Sequence, residues 1–344
     1  MKRHVNIPIF IPHLGCPNQC VFCNQRTISG VNKFEISQVE KQIEDALSTI
    51  DPSCEIEIAF FGGSFTGIDR DLMISLLELA NGYVRCNKVK SIRCSTRPDY
   101  INEEILDILE KYSVRTIELG LQSTSDSVLA ISRRGHTHYD EERACRTIVS
   151  RGFSLVGQMM IGLPGSTLES ELETARFIVK SGATGARIYP TVVFHDTELC
   201  EMSHNGEYIP LNLSDAVERS AHVLEIFKDS GVDVIRIGLC ASDNLFDNEK
   251  YYAGPNHPAL GEMVESAMLY NKITAMLDDN RSYVDTMLKI FVPKGALSKV
   301  IGQKKSNKIR LIRNYGFTDV KVIEDANLLD CELKIEEERK RECT

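Results

Sequence analysis

No run of 18 consecutive apolar residues occurs anywhere in the 344-residue chain, so a membrane-spanning helix is not expected. A cleavable leader is not expected either. The opening "MKRHVNIPIFIPH" starts basic and turns apolar, but the apolar part is short, is broken by Pro8 and Pro12, and reaches no small-residue cleavage site. Internal repeats and low-complexity segments are absent, which argues against a repeat array. The eleven cysteines, an odd number, are scattered without the framework of a disulfide-stapled domain. A reducing, cytoplasmic setting is therefore the expectation. At 42% hydrophobic and 26% charged, the composition is that of a soluble globular protein with a large core, and the length suits one large domain plus a small one.

The net charge of −9 is unevenly spread. Residues 286–323 carry nine Lys/Arg against one Asp, the 285 residues before them 27 basic against 40 acidic side chains, and the last 21 residues 4 against 8. A basic module near the end of an acidic protein suggests an anion-binding appendage.

Short β-rich runs alternate with amphipathic stretches over most of the chain. Strands are expected in "PIFIPH", "EIEIAFFGG", "SIRCSTRP", "TIELGLQS", "LVGQMMIGLPG", "ARIYPTVV" and, later, "DVIRIG"; helices are expected over 37–50, 69–85, 102–112, 139–151, 167–181 and 214–230. Ser37 and Asn102 read as helix caps. Such alternation implies βαβ units and a parallel sheet. Nearly every strand ends in Gly, Cys or polar residues, as barrel enzymes require, since their chemistry sits on loops at the C-terminal ends of the strands. The fold class read from this is α/β, a partial (β/α)6 TIM-like barrel with a small C-terminal α/β module. The expected divisions are a barrel over 1–240, a connecting loop and helix over 241–285, the basic module over 286–335 and a polar tail over 336–344.

One loop stands apart. "HLGCPNQCVFCNQ" (13–25) holds Cys16, Cys20 and Cys23. A closed zinc site needs four N/S ligands, so zinc would require His13 or a distant cysteine. A [4Fe–4S] cube held by three thiolates keeps one iron without a protein ligand. The plain alternative, buried or merely reactive thiols, suits Cys54, Cys86, Cys94, Cys145, Cys200, Cys240, Cys331 and Cys343, but not three cysteines in C-x3-C-x2-C spacing on one post-strand loop.

That spacing, with Phe22 before the last cysteine, resembles the motif of the radical S-adenosylmethionine (SAM) enzymes. The resemblance implies a [4Fe–4S] cluster on Cys16, Cys20 and Cys23, with SAM on the open iron. It implies reductive cleavage of SAM to methionine and a 5′-deoxyadenosyl radical that abstracts hydrogen from a substrate. A one-electron donor such as flavodoxin or ferredoxin is implied as partner. The later strand ends fit the same plan. Gly62 and Gly63 stand where the family holds the amino group of SAM with backbone carbonyls. Ser95 and Arg97, with Thr96, are candidates for ribose or carboxylate. Gln122, Ser123 and Arg134 follow on the same face, Arg134 as a bidentate carboxylate partner. Gly162 and Leu163 in "MIGLPG" stand where the family passes backbone along the adenine. Tyr189 and His195 are candidates for the substrate side.

"STRPDY", "IELGLQS", "RRGHT" and "RIYPTVVFHDTEL" resemble the radical SAM domain of Elongator's catalytic subunit, a tRNA uridine-modifying enzyme; "ELGLQS" and "GLPG" are also similar to oxygen-independent coproporphyrinogen oxidases. The likeness covers about residues 5–240. Three departures stand out: a compact cysteine spacing, Ser95 where the Elongator string has glutamate, and only about 60 residues after the helix near 280, where that subunit continues into a full acetyltransferase domain. "YYAGPNHPALGEMV" (251–264) resembles a segment of bacterial stand-alone members, with His257 and Glu262 as candidates at the barrel mouth or parts of a packed loop. The basic module resembles a KH domain, whose GxxG loop lets backbone N–H groups approach phosphates. Here that loop reads Gly302, Gln303, Lys304, Lys305, and Lys299, Gly302, Lys304, Lys305 and Lys308 are its RNA-binding candidates. A cap of solvated lysines is the competing reading. The expected function is radical SAM modification of an RNA, in particular a tRNA nucleoside. The alternatives are a small-molecule substrate such as a tetrapyrrole, or a non-catalytic Fe–S or zinc RNA-binding module.

Overall fold

The computed structural model describes residues 4–11, 16, 20–24, 35–239, 249–278, 281–329 and 332–339. His13, Cys240, Cys331 and Cys343, named above, lie outside the described residues.

Seven strands form one all-parallel sheet in sequential order. They are β1 (His4–Phe10), β2 (Glu55–Phe61), β3 (Ser91–Thr96), β4 (Val114–Gln122), β5 (Ser154–Ile161), β6 (Gly185–Pro190) and β7 (Asp233–Ile237). Sequential order with helical crossovers curls the sheet into a half-barrel whose two outer strands are β1 and β7. The seventh strand is the "DVIRIG" run. Pro8, which has no N–H to donate, sits exposed on the outer strand β1.

The crossover helices are α1 (Ile36–Thr49), α2 (Arg70–Arg85), α3 (Glu103–Lys111), α4 (Asp126–Ile131), α5 (His138–Ser150), α6 (Leu168–Lys180), α7 (Glu198–His204) and α8 (Leu213–Asp229). Most bury an apolar stripe on the sheet, whereas α7 packs Leu199 and Cys200 against Val21, Val193 and Tyr208. In α3 the stripe is Ile105, Leu106 and Leu109, each contributing about 1.5–3 kcal/mol on burial. The Asn102 side chain caps that helix by accepting from Ile105 N, worth about 1 kcal/mol. Ser37 does not cap: α1 starts one residue earlier, after Glu35, with no side-chain cap.

Beyond the barrel, α9 (Leu260–Ala275) lies along α8, where Asn271 Nδ2 donates to Glu218 (2.8 Å) and Lys272 pairs with Asp229 (2.7 Å). A second sheet follows, built from β8 (Thr286–Val292), β9 (Asp319–Glu324) and β10 (Lys334–Arg339), with β8 central, β9 parallel to it and β10 antiparallel. Between β8 and β9 stand α10 (Leu297–Ile301) and α11 (Ser306–Tyr315). This corrects the tail boundary at 336. Ile335 faces Ile290, Arg281 ahead of β8 pairs with Glu337 (2.7 Å), and the cross-strand pair Lys289–Glu338 (3.0 Å) adds to the ladder that runs as far as Arg339. The module shares one core with the barrel. Asn307 reaches Ser266 of α9 (2.9 and 3.0 Å), and Arg310 lies 3.9 Å from the ring centroid of Tyr270. Among the described residues no helix is long and apolar enough to cross a membrane.

Candidate functional site

The loop after β1 carries the three cysteines to the C-terminal rim of the sheet. Cys20 is buried; Cys16 and Cys23 are half-buried. Leu199 N donates to Val21 O (2.9 Å) and Val21 N to Ser132 O (3.3 Å). Phe22 packs against the buried cluster of Val21, Val193, Leu199, Cys200 and Tyr208, so the segment between the last two cysteines is pinned to its surroundings. Arg134 Nη1 lies 3.4 Å from Cys20 Sγ, and its Nη2 donates to Gly120 O (2.5 Å). Arg97 donates to Arg134 O and grips Asp99 through Nε and Nη2 (2.9 and 3.0 Å). Burial pushes the Cys16 thiol up, while the Ser64 backbone N–H and the guanidiniums of Arg97 and Arg134 pull against it.

Two glycines fix the neighbouring turn. Gly62 has φ +98° and Gly63 φ +143°. A Cβ on Gly62 would lie 2.9 Å from Ile11 O, so the close approach at this position is to the backbone leaving β1. On β4, a register shift between Gly120 and Gln122 coincides with φ +72° at Gln122. That bulge re-aims Gln122 into a cavity of about 510 Å³.

This cavity is the lumen of the half-barrel. It runs from Phe22, Cys23, Gly62, Ser95 and Gln122 to Phe10 and Asn6 of β1 and Ile235 and Arg236 of β7. Phe61, Tyr189 and Phe194 also face it. Five of the sequence candidates (Phe22, Cys23, Gly62, Ser95 and Gln122) thus converge on it, with Tyr189 beyond them. Arg97 and Arg134 do not line it; they reach Asp99, Gly120 and Cys20 instead. His195 does not line the lumen; its ring is edge-on to Tyr252 (5.5 Å between centroids). Ser123 accepts from Ser125 N (3.2 Å). Gly162 is tied to the chain at both backbone groups, its N–H to Glu171 (2.7 Å) and its carbonyl to Tyr208 OH (2.7 Å), and Leu163 is buried. Neither of these last two reaches the lumen.

A chain of buried charges along the lumen is legible only in the structure. Glu57 on β2 accepts from Ser91 (2.5 Å) and from Arg93 of β3 (2.8 Å); Arg93 also reaches Glu118 of β4 (2.9 Å). Glu118, fully buried, accepts from Arg187 of β6 (2.7 and 3.0 Å) and Gln158 of β5 (2.9 Å). Against the effect of burial, Tyr189 and the Glu118 carboxylate hold Arg187 well above the ordinary arginine value. The trace of it in the sequence is charged or amide residues inside otherwise apolar strands.

Among the described residues, no group of three or more His, Cys, Asp or Glu side chains, Cys16, Cys20 and Cys23 included, is placed to hold a metal ion. The residues present nonetheless fit a three-thiolate cluster with a nucleotide ligand. The donor set is soft and cationic groups adjoin it. Three buried polar atoms around it, Arg97 Nη1, Arg134 Nε and Gln122 Oε1, have no protein partner, and such groups call for one.

In the basic module, Gly302 (φ +77°), Lys304 (+51°) and Lys305 (+63°) form the loop between the helices. Lys305 therefore adopts the left-handed conformation at the place where a GxxG loop has its second glycine. Lys304 and Lys305 are exposed, whereas Lys299 pairs with Glu265 (2.5 Å) and Lys308 with Asp319 (2.7 Å). Tyr315 and Phe317 pack against Tyr283, Phe317 almost fully buried.

Comparison with known proteins completes the description. The profile of the radical SAM superfamily matches residues 10–178, and that of the radical SAM C-terminal domain residues 183–270. An uncharacterized protein of Methanocaldococcus jannaschii is 30% identical over 238 residues, covering 65% of this chain and 72% of its own length. The tRNA uridine(34) acetyltransferase of the same organism is 29% identical over 201 residues, covering 53% of this chain and 37% of that protein. Elongator complex protein 3 of Homo sapiens is 28% identical over 192 residues, 50% of this chain and 35% of that protein. The chain therefore spans little more than a third of the named tRNA-acting and Elongator relatives. Among solved structures, the archaeal Methanocaldococcus infernus Elp3 lacking residues 1–46 superposes with a TM-score of 0.62 at 21% identity, covering 80% of this chain and 64% of that one. Methylornithine synthase gives 0.50 at 15% identity, over 75% and 76%. These superpositions establish the partial-barrel fold.

Proposed function

The chain belongs to the radical SAM superfamily, and from that premise we propose that it modifies a nucleoside of RNA, specifically of tRNA. Enzymes of the superfamily use a [4Fe–4S] cluster and SAM, which supply one-electron cleavage of SAM and abstraction of a substrate hydrogen. In this chain Cys16, Cys20 and Cys23 would hold the cluster and receive reducing equivalents from a flavodoxin- or ferredoxin-type donor. Arg134 beside Cys20 and Arg97 near Cys16 offset the charge of the thiolates. Gly62, Ser95 and Gln122 present backbone and polar atoms to the nucleotide end of the lumen. The Glu118 clamp holds β4, β5 and β6 at fixed spacing, and the wall of Phe10, Phe61, Tyr189 and Phe194 keeps water from the reacting face.

The observation that carries the reading is the lumen itself. It extends from the cysteine loop to the two outer strands of the sheet, and aromatic rings wall it along the way. A splayed-out base suits such walls, because single-stranded RNA is read by stacking on aromatic and guanidinium planes. Two further features support it: the basic module with its Gly302–Lys305 loop, docked through α9, and relatives named for action on tRNA uridine 34.

The test is anaerobic reconstitution with iron, sulfide, SAM and a reductant, with and without bulk tRNA, followed by nucleoside mass spectrometry. A new tRNA nucleoside supports the reading. SAM cleavage that ignores tRNA and responds to a carboxylated small molecule such as a tetrapyrrole overturns it.

A further inference from the structure

Beside the lumen lies a second, smaller cavity of about 120 Å³, lined by Pro190, Arg236, Asn256, His257, Pro258 and Leu260 among others. It joins β7 to the "GPNHPAL" segment (254–260), and it shares Pro190, Val192, Arg236 and Leu239 with the lumen. Gly254 makes this apposition possible. Its φ is +107°, and a Cβ there would stand 2.7 Å from Thr191 O, so only glycine brings the segment this close to the end of β6.

Arg236 is the unusual group. It is half-buried, and its register partner on β6 is Arg187, so two guanidiniums neighbour each other on the same face. Arg187 is matched by Glu118 and Arg93 by Glu57 and Glu118. Among the described residues Arg236 forms no ion pair, and its one hydrogen bond, Nη1 to Leu239 O, is at 3.5 Å. Side-by-side like charges destabilise a sheet, and a partly desolvated cation without a counter-charge is costly. A structural guanidinium would be placed otherwise; one awaiting an anion fits. His257 adds a second donor to the same cavity. Its Nδ1 accepts from Ala259 N (3.1 Å), which puts the proton of the neutral ring on Nε2.

We propose that this cavity is an oxyanion subsite in which Arg236 and His257 bind a phosphodiester of the RNA substrate, flanking the nucleoside that enters the lumen. The inference rests on the RNA reading for the identity of the anion, but not for the existence of the subsite. A planar guanidinium offers the bidentate fork that phosphate oxygens take, and its position on an outer strand lets the backbone of a long polymer pass while a single base turns inward.

Two probes on the anaerobically purified full chain separate the claims: inorganic phosphate, read as a thermal shift against chloride at matched ionic strength, and bulk tRNA, read as a Kd over a salt series. Phosphate should raise the Tm of the wild type and of a Lys180→Gln control, and not that of Arg236→Gln. The same variant should bind tRNA about tenfold more weakly, with a log Kd–log salt slope reduced by about 0.7 for one lost phosphate contact. A wild type that ignores tRNA yet keeps an Arg236-dependent phosphate response overturns the RNA reading and supports the subsite. Unchanged phosphate and tRNA responses in Arg236→Gln overturn the subsite and leave the RNA reading standing. Should that variant not fold, Arg236→Lys and His257→Gln carry the comparison. Each should bind tRNA a few-fold more weakly, and wild-type behaviour in both refutes the proposal.

Discussion

Replacing Glu118 by glutamine removes one charge from the centre of the lumen and little else. The carboxylate is fully buried and accepts four hydrogen bonds, from Arg93 Nη1 (2.9 Å), Arg187 Nε and Nη2 (2.7 and 3.0 Å) and Gln158 Nε2 (2.9 Å). Arg93 keeps Glu57, so the loss falls on Arg187, which is left as a buried cation facing an amide. Breaking a buried pair in this way costs about 3–5 kcal/mol. With a urea m-value of about 3 kcal/mol/M, the midpoint should fall by roughly 1–1.7 M, measured by far-UV circular dichroism under anaerobic conditions. The double variant Glu118→Leu/Arg187→Met removes both charges and should recover most of that loss, since apolar replacement of a buried pair is commonly near neutral. A Glu118→Gln midpoint within about 0.3 M of wild type, or a double variant less stable than the single one, would refute the reasoning that the clamp holds this half of the barrel together.

Three further outcomes are expected. Gly62→Ala forces a Cβ to within 2.9 Å of Ile11 O at φ +98°, a strain on the order of 1–3 kcal/mol; it should lower the iron bound after reconstitution, and full iron loading in the variant would count against the role of this turn in setting the cysteine loop. His138 donates to Glu141, which raises its pKa above 6.5 even as burial opposes the charge. Its stabilisation is therefore complete below pH 6.5 and fades as pH rises through the elevated folded value, so the deficit of His138→Gln should be larger at pH 5.5 than at pH 8.5, by less than about 1 kcal/mol for so exposed a ring; equal deficits at the two pH values would contradict it. Lys304→Gln/Lys305→Gln, which removes the two exposed cations of the Gly302–Lys305 loop, should weaken tRNA binding and cut the salt slope by about 1.4; an unchanged slope would take the module out of RNA recognition.

Local chemistry made the elements legible. Asn102 announced α3, and the alternation of apolar runs placed every barrel strand within a few residues. Ser37 misled because α1 needs no polar cap when its Val39 and Ile43 are already buried on the sheet. The cysteine loop was legible because its chemistry depends on spacing along the chain, which a sequence displays directly. Arg97, expected at a ribose or carboxylate, and Arg134, expected at a carboxylate, hold Asp99, Gly120 and Cys20, while Arg97 Nη1 and Arg134 Nε have no protein partner.

The lumen charges were hidden for a different reason. Glu57, Arg93, Glu118, Arg187 and Arg236 each sit inside an apolar strand, and a strand residue pointing into a lumen reads in sequence like one pointing to solvent. What tells them apart is the register. Gln158 aligns with Arg187 and Arg187 with Arg236, so residues 29 and 49 positions apart become lateral neighbours in one layer, and their charges must then be settled among themselves. Glu118 settles those of Arg93 and Arg187. The layer ends at β7 with a guanidinium that no described carboxylate answers, and it does so where the smaller cavity meets the lumen. A single strand's sequence carries no trace of that imbalance, because it is a property of the sheet's lateral order. An unmatched cation at the end of an otherwise matched row is accordingly better explained by an incoming anion than by the needs of the fold.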